Sequence, residues 1–286
     1  MREENRALLG PADVILAAHP GSGASWIATL LVHLGVFYAS GHEERLLDRA
    51  SQRTGGWLDD AEQRLPGQPA SGAPSVGVAD RHEHLPALRR RHELEPSYRE
   101  ALRVVKSNDA PLAWAPDNKV LLLVRDGRDA VLSLYHYLRT FSGLDVPLLD
   151  YLTGNGGAWP LPALSWGFAC QSWAGTTSAE RLHVLRFESC RAEPLAEVRA
   201  MLRFLGVERD DAEIERALAA SSYERMRRDE SAAIERRGDA IGRGRIMRKG
   251  LVGEWREVYT DAMLRTFSGL PRRALERFGY PTDAVP

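Results

Sequence analysis

The chain has 286 residues, of which 44% are hydrophobic and 27% charged, and its formal net charge is −1 at pH 7. A nearly neutral protein lacks the broad basic surface that attracts nucleic acid or anionic membranes, so any anion site must be local. Its two cysteines have no metal-ligand spacing and no run of 18 apolar residues occurs, which argues against a disulfide framework, a metal site and a membrane span. We therefore expect a single cytoplasmic domain over residues 1–286.

The stretch from residue 14 to residue 35, VILAAHPGSGASWIATLLVHLG, predicts a strand, a glycine-rich loop and a helix. Val14–Ala18 is a short apolar run, and residues 24–34 carry apolar side chains at helical spacing. A loop in this position presents unpaired N–H groups and the positive end of the helix dipole, which suits a phosphate, although an ordinary strand-to-helix turn shares the pattern. Because Gly23 is followed by Ala24 and not by lysine, the loop is not of the ATP-binding type G-x-x-x-x-G-K-[ST].

The next part of the chain is less regular. Residues 37–75 are rich in Gly, Pro, Ser and Gln and weak in apolar periodicity, which predicts a surface excursion with short helical pieces. His82 and His84 follow at i, i+2 spacing. They could bind a metal or a proton, but no third ligand lies at a sensible spacing, so a solvated or structural role is also open.

Two apolar runs then predict two further strands, at residues 102–106 and 120–124, and the second indicates a central parallel strand. Lys106 ends the first strand, where it either faces the crevice in which open α/β sheets bind ligands or simply reaches solvent. Arg125 ends the second strand and is either a ligand or a structural ion-pair residue. A turn follows, and residues 130–138 predict an amphipathic helix.

The C-terminal half continues the alternation of helices and strands. Residues 160–176 carry two tryptophans at helical spacing, residues 182–187 predict a strand, and residues 194–206 predict an amphipathic helix ended by a glycine. Residues 224–247 are dominated by Arg, Glu and Asp, which predicts solvated helix and loop, and RKGLVGEW after them is a plausible phosphate contact. The alternation predicts an α/β three-layer sandwich with a central parallel sheet.

Three motifs in this order resemble the cytosolic-type sulfotransferase family, which uses 3′-phosphoadenosine 5′-phosphosulfate as its sulfuryl donor. HPGSGASW is similar to the family's 5′-phosphosulfate loop, VRDGRDAVLSLYHYLR to its 3′-phosphate motif, and RKGLVGEWREVYT to its R-K-G-x-x-G-D-W signature, with Glu254 in place of the aspartate. VVKSNDAP, LHVLRFES and AASSYERM are weaker matches. The resemblance implies a P-loop-kinase-like fold and suggests a bacterial enzyme.

The resemblance also implies which residues contact the donor. The backbone of Ser22, Gly23, Ala24 and Ser25 would hold the 5′-phosphate. Trp26 and Tyr223 would stack on the adenine, and Ser221 would lie near the base. The 3′-phosphate would be held by Arg125, Ser133, Arg248, Lys249 and the N–H group of Gly250. Cations around a phosphate dianion are chemically sensible, because charge-assisted hydrogen bonds are the strong ones.

Two departures from the family pattern affect the chemistry. The family's loop lysine is Gly21 here, and its catalytic histidine is Asn108, so Lys106, Asn108 and Ser133 become the candidate catalytic side chains. An amide can orient a reactant but is no base near neutral pH. Candidate bases that stay open are Asp109, His19 and the residues from His82 to His84.

Lys106 is the candidate for stabilising the sulfuryl group, because the chain has only two other lysines. Lys249 is assigned to the 3′-phosphate, and Lys119 precedes its strand and should lie at the opposite edge of the sheet. Arg81 is the alternative to Lys106.

The leading hypothesis is a sulfotransferase that acts on a hydroxyl or amine of a small molecule, with secondary metabolism as one setting for it. The alternative is a donor-binding homologue with lost or redirected catalysis, and a nucleotide kinase is disfavoured by the missing loop lysine. We expect no nucleic-acid or membrane partner, and a homodimer is compatible with the sequence.

Overall fold

The computed structural model describes residues 6, 9, 11–40, 102–111, 117–155, 161–237 and 245–285. The fold, the site and the proposals below concern these residues only. Most of the segment 37–75 and the cluster from Arg81 to His84, two features singled out in the sequence, lie outside them.

A five-stranded parallel sheet forms the centre of the fold, in the order β2-β3-β1-β4-β5. The strands are β1 Val14–Ala18, β2 Phe37–Ser40, β3 Arg103–Ser107, β4 Lys119–Val124 and β5 Leu182–Arg186. Every residue of β1 is buried, as expected for a central parallel strand covered on both faces. The predicted α/β class and parallel sheet are therefore confirmed.

Strand β2 corrects the sequence interpretation, which placed residue 37 at the start of a surface excursion. Phe37, Tyr38 and Ala39 are buried, and the strand pairs with β3. Four residues are too few to show a period, and the pairing that stabilises this strand comes from a segment more than 60 residues later in the chain.

Helices cover both faces of the sheet. Successive residues of a strand point to opposite faces, and the apolar residues accordingly form two cores, one around Ile15 and Ala17 and the other around Val14 and Leu16. The helices are α1 Ala24–His33, α2 Gly127–Ser142, α3 Leu148–Leu152, α4 Pro162–Thr176, α5 Phe187–Ala192, α6 Pro194–Leu205, α7 Asp211–Ala220, α8 Tyr223–Arg237, α9 Trp255–Val258, α10 Asp261–Leu264 and α11 Leu270–Arg277. No helix in the described ranges is both long and apolar enough to span a bilayer.

Helix α2 begins three residues earlier than its apolar pattern predicts. The Asp126 carboxylate accepts a hydrogen bond from the N–H group of Arg128 at 3.0 Å and caps the helix at Gly127. Residues 127–129, expected in a turn, therefore form the first turn of the helix. This start places Asp129 on the helix, where its carboxylate faces the C-terminal segment.

The strand order places the loop after β1 at the centre of the carboxyl edge of the sheet. β1 lies between β3 and β4, so the residues that follow these three strands converge there. After β1 the chain forms β2 and β3 on one side of β1 in the strand order, and then β4 on the other side. This change of direction makes the carboxyl edge at β1 the switch point where open α/β sheets bind ligands.

A buried ion pair joins the amino ends of β1 and β3. Arg103 donates to Asp13 through Nε at 3.1 Å and Nη2 at 2.6 Å, and the two side chains are only 3% and 0% exposed. We expect Arg103→Met to lower the free energy of unfolding by about 3–5 kcal/mol, because it leaves a buried carboxylate without its bidentate cation.

The exposed pair Arg181–Asp117 supplies the matched control. Arg181→Met should cost less than about 1 kcal/mol, because surface ion pairs contribute little. Urea unfolding of both variants checks the comparison, and equal losses would contradict it.

Candidate functional site

A pocket of about 770 Å³ opens at this carboxyl edge of the sheet. Its walls come from the loop after β1, the ends of β2 and β3, helix α2, the start of helix α8 and residues 245–250. Of the residues assigned to the donor or to catalysis in the sequence, it is lined by Gly23, Ala24, Ser25, Trp26, Lys106, Asn108, Arg125, Ser133, Tyr223, Arg248, Lys249 and Gly250. Ser22 and Ser221 are fully buried and do not line it.

The loop after β1 leads directly into the N-terminus of helix α1. Gly23 is the N-cap of α1 and adopts the left-handed conformation, with φ at 97°. The first N–H groups of a helix have no intrahelical acceptor, so those at the start of α1 point out of the helix end beside the pocket. The N–H group of Ser22 is already used, since it donates to the carbonyl oxygen of His19 at 3.1 Å.

Close packing explains why Gly21 stands where the related family has lysine. The residue has φ at 88°, and a Cβ atom there would overlap the backbone carbonyl oxygen of Ala130 on helix α2. Both the backbone conformation and the space exclude a side chain. A loop lysine therefore cannot occupy this position unless the loop moves away from α2.

Arg125 is buried and connects three parts of the wall. Its Nη1 donates to the carbonyl oxygen of Gly21 at 2.9 Å, and its Nη2 donates to that of Leu251 at 2.8 Å. Its guanidinium also lies 4.7 Å from the ring centroid of Phe187. Burial lowers the pKa of Arg125, and the negative charge of Asp129 partly opposes that shift.

Asp129 holds the C-terminal segment against helix α2. Its carboxylate accepts hydrogen bonds from the N–H groups of Gly253 at 2.6 Å and Trp255 at 3.0 Å. Burial raises the pKa of Asp129, while Arg125 and these two bonds oppose the increase. The contacts fix the part of the chain that carries the next two cations.

Glu254 pairs with both cations of that segment. It accepts from Nη1 of Arg248 and from Nζ of Lys249, each at 2.8 Å, while its own side chain is only 5% exposed. Hydrogen bonding to Arg248, followed by that to Lys249, lowers the pKa of Glu254 to about 2 despite its burial. A carboxylate therefore neutralises part of the positive charge at this wall.

Two aromatic residues with a predicted stacking role line the pocket. Trp26 packs edge-on against Phe187, with ring centroids 5.7 Å apart. Tyr223 donates from its hydroxyl to the carbonyl oxygen of Arg248 at 2.7 Å, and its ring lies against Gly250. The phenol is thereby fixed to the segment that carries the cations.

Ser221 has a local structural role. Its hydroxyl donates to the carbonyl oxygen of Ala217 at 2.8 Å, one turn back in helix α7. The sequence assigns it to the adenine, but the structure places its side chain inside the protein, away from the pocket wall.

Lys106, Asn108 and Asp109 lie together at the end of β3 and line the same pocket. Lys106 is in register with Leu16 of the central strand, so it borders the loop that follows β1. The strand order thus places the cation Lys106 near the loop, in which Gly21 itself supplies no positive charge.

His19 is buried, lines the pocket and is neutral. Its Nδ1 lies 2.8 Å from the carbonyl oxygen of Pro20, and a carbonyl only accepts, so Nδ1 carries the proton. Burial lowers the pKa of this imidazole to about 4. His19 therefore cannot replace the charge of the missing loop lysine.

Sequence reasoning missed several residues of the wall, including Tyr38, His136 and Arg191. Tyr38 was missed with strand β2. His136 follows Ser133 by three residues on helix α2, and this spacing was the available signal, because residues three apart share a helix face. The described residues contain no cluster of His, Cys, Asp and Glu that could hold a metal ion.

Comparisons with known proteins place this pocket in context. Residues 11–279 match the family model described as "Sulfotransferase domain". Human sulfotransferase 1C2 is 21% identical over 276 residues, which are 93% of this chain and 84% of that protein. Human sulfotransferase 1E1 is 22% identical over 271 residues, which are 90% of this chain and 81% of that protein.

The fold is shared with solved structures. A retinol dehydratase solved with androsterone and the inactive cofactor PAP superposes with a TM-score of 0.61 and 19% identity, over 96% of this chain and 83% of that one. Mouse sulfotransferase SULT7A1, complexed with PAP, gives a TM-score of 0.55 and 16% identity, over 97% and 93% of the two chains.

The contact between Gly21 and Ala130 yields a prediction. Gly21→Ala should destabilise the protein by more than the roughly 1 kcal/mol expected for the left-handed backbone alone, because the new methyl group forces the loop away from helix α2. Gly143→Ala is the control, since Gly143 has φ at 68° but no atom within 4 Å of the place that a Cβ would occupy. Thermal denaturation of both variants measures the difference, and equal destabilisation would mean that the loop yields without cost.

Proposed function

Because the chain belongs to the sulfotransferase family, whose domain model covers residues 11–279, we propose that it transfers a sulfuryl group from 3′-phosphoadenosine 5′-phosphosulfate to a hydroxyl or amine of a small-molecule acceptor. The observation that carries the proposal is one pocket whose lining offers two candidate anion sites. The helix N-terminus at Gly23 forms the first, and the cations Arg248 and Lys249 form the second. A nucleotide with phosphate groups at both ends of its ribose has the matching charge pattern.

The first anion site would hold the 5′-phosphosulfate. The backbone N–H groups at the start of helix α1 and the hydroxyl of Ser25 would bind the phosphate, with the helix dipole adding to the attraction. The second site would hold the 3′-phosphate through Arg125, Ser133, Arg248, Lys249 and the N–H group of Gly250. Trp26 and Tyr223 would contact the adenine between the two sites.

The proposed donor product and acceptor class are based on the ligands in two of the similar solved structures. The structures of SULT7A1 and of retinol dehydratase both contain PAP, and the latter contains androsterone, a small apolar molecule with a hydroxyl group. A pocket of about 770 Å³ lies within the usual range of 300–1,000 Å³ for small-molecule sites. This volume supports a nucleotide with a small acceptor beside it.

In the proposed reaction the acceptor oxygen or nitrogen attacks the sulfur in line with the leaving oxygen. A new bond forms to sulfur, the bond between sulfur and the bridging oxygen of the 5′-phosphate breaks, and PAP leaves with the electron pair. Lys106 would stabilise the negative charge that develops on the transferred and bridging oxygens. Asn108 would orient the acceptor through its amide, and Asp109 or His19, which also line the pocket, would accept the acceptor's proton.

A second candidate function is donor binding without transfer. It is favoured by the contact at Gly21, which excludes a loop lysine, and by Asn108 in the position of the family's base. A transferase releases PAP when offered an acceptor, whereas a binding protein is only stabilised by the donor. Offering a panel of phenols, alcohols and amines with the donor distinguishes the two.

The 3′-phosphate assignment predicts a selective loss of affinity in Arg248→Ala. PAP should bind at least about 10-fold more weakly than to wild type, because a charge-assisted hydrogen bond contributes roughly 1.5–3 kcal/mol. The affinity for AMP, which lacks the 3′-phosphate, should change little. Titration calorimetry measures both, with Arg203→Ala on the exposed face of helix α6 as the control arginine. Equal wild-type affinities for PAP and AMP would overturn the assignment.

The electrophilic role of Lys106 predicts a loss of turnover without a loss of binding. Lys106→Ala should lower turnover by about 100-fold or more, the usual effect of removing one preorganised donor to developing charge. Its affinity for PAP should stay within about a few-fold of wild type.

Lys119→Ala is the matched lysine control. Its ammonium group donates to the carbonyl oxygen of Phe204 at 2.8 Å, at the amino end of β4 and opposite the pocket. Release of PAP in the presence of an acceptor measures turnover for both variants. Wild-type turnover in Lys106→Ala would assign the role to another cation.

A further inference from the structure

His136 is a titratable residue of the pocket wall to which the mechanism above gives no role. It lies on helix α2, three residues after Ser133, and both residues line the pocket. Its side chain is partly exposed, so a ligand in the pocket can reach it. Residues three apart on a helix share a face, so a ligand held by Ser133 lies within reach of His136.

Charged groups surround the imidazole from two elements. Arg248, Lys249 and Glu254 act on it from the C-terminal segment, and Arg139 acts on it from its own helix. The ring of Tyr135 lies 5.5 Å from its own, edge-on. His136 therefore shares its surroundings with the cations that we assign to the 3′-phosphate.

Carboxylates offset much of the positive charge that we assign to the phosphate. Arg125, Arg248 and Lys249 contribute three positive charges, and the interacting carboxylates of Asp129 and Glu254 contribute two negative ones. A further cation at this wall would therefore strengthen the attraction for a phosphate dianion.

The imidazole can add a positive charge to this wall by taking up a proton. Burial, with a further contribution from Arg248, lowers the pKa of His136 below its usual value, so it is neutral near pH 7 in the empty pocket. A dianion brought close to it reverses the effect, because an opposite charge favours the protonated form.

We propose that His136 is a further ligand of the donor's 3′-phosphate and that its imidazole becomes a cation when the nucleotide binds. This inference rests on the proposed function. Binding of PAP then takes up a proton at His136, so the contribution of this residue to affinity increases as the pH falls from 8 toward 6. The affinity for AMP gains nothing from it, since AMP has no 3′-phosphate.

The test compares wild type with His136→Gln, which keeps a polar side chain but cannot become a cation. Calorimetric titrations with PAP and with AMP at pH 6, 7 and 8 give the affinities, and repetition in buffers of different ionisation enthalpy gives the protons taken up. The second ionisation of the phosphate itself, near pH 6, affects PAP binding to both proteins equally and cancels in the ratio of their affinities.

We expect the ratio of wild-type to His136→Gln affinity for PAP to rise by about 3- to 10-fold between pH 8 and pH 6, since one pKa unit corresponds to a factor of ten. Wild type should also take up more protons at pH 7 than the variant. Thr140→Val, one turn further along the same helix at the pocket wall, should leave the ratio unchanged. His136→Asn serves as the second neutral variant if the glutamine variant does not fold.

The outcomes separate this inference from the proposed function. If wild type prefers PAP to AMP but the affinity ratio and the proton uptake match those of the variant at every pH, the role of His136 is wrong and the proposed function stands. If wild type shows no preference for PAP at any pH, the proposed function is wrong and the inference falls with it.

Discussion

The site depends on one buried guanidinium. Arg125 hydrogen-bonds to Gly21 in the loop after β1 and to Leu251 in the C-terminal segment, residues 104 and 126 positions away in the chain, and it stacks on Phe187 after β5. Three segments that form three sides of the pocket thus meet on a single side chain. Removing Arg125 from water is costly, and the carbonyl acceptors and the nearby carboxylate of Asp129 compensate part of that cost. Arg125 therefore organises this wall of the pocket through contacts within the protein.

The positive charge of Arg248 and Lys249 is balanced in part by the carboxylate of Glu254. Glu254 binds both Arg248 and Lys249 with its side chain almost fully covered, so the two cations have a fixed counter-ion before any ligand arrives. This pairing prevents mutual repulsion of the cations from opening the segment. Such a local group of paired charges needs no broad basic surface and is compatible with the net charge of −1.

Packing at the loop after β1 prevents residue 21 from supplying a cationic side chain. Gly21 lies so close to Ala130 that no side chain fits, and His19 beside it is neutral because it is buried. Arg125, which follows the neighbouring strand β4, is already hydrogen-bonded to Gly21, and Lys106 is the cation at the end of the other neighbouring strand, β3. A sulfotransferase built in this way would draw its electrophilic group from the sheet and not from the loop.

The sequence by itself determined the parallel sheet and the helices α1, α2, α4 and α6, because burial of a strand or helix face leaves a local apolar pattern. The strands β1, β3, β4 and β5 and the position of Lys119 at the far edge followed from such runs. The sequence did not predict strand β2, the early start of helix α2 or the burial of the Ser221 side chain, because short elements and caps depend on single contacts. Only the tertiary structure decided that Gly21 meets Ala130, that Glu254 holds two cations and that His136 joins them. Each of these depends on distances between segments that the strand order brings together, and no local period in the sequence encodes such a distance.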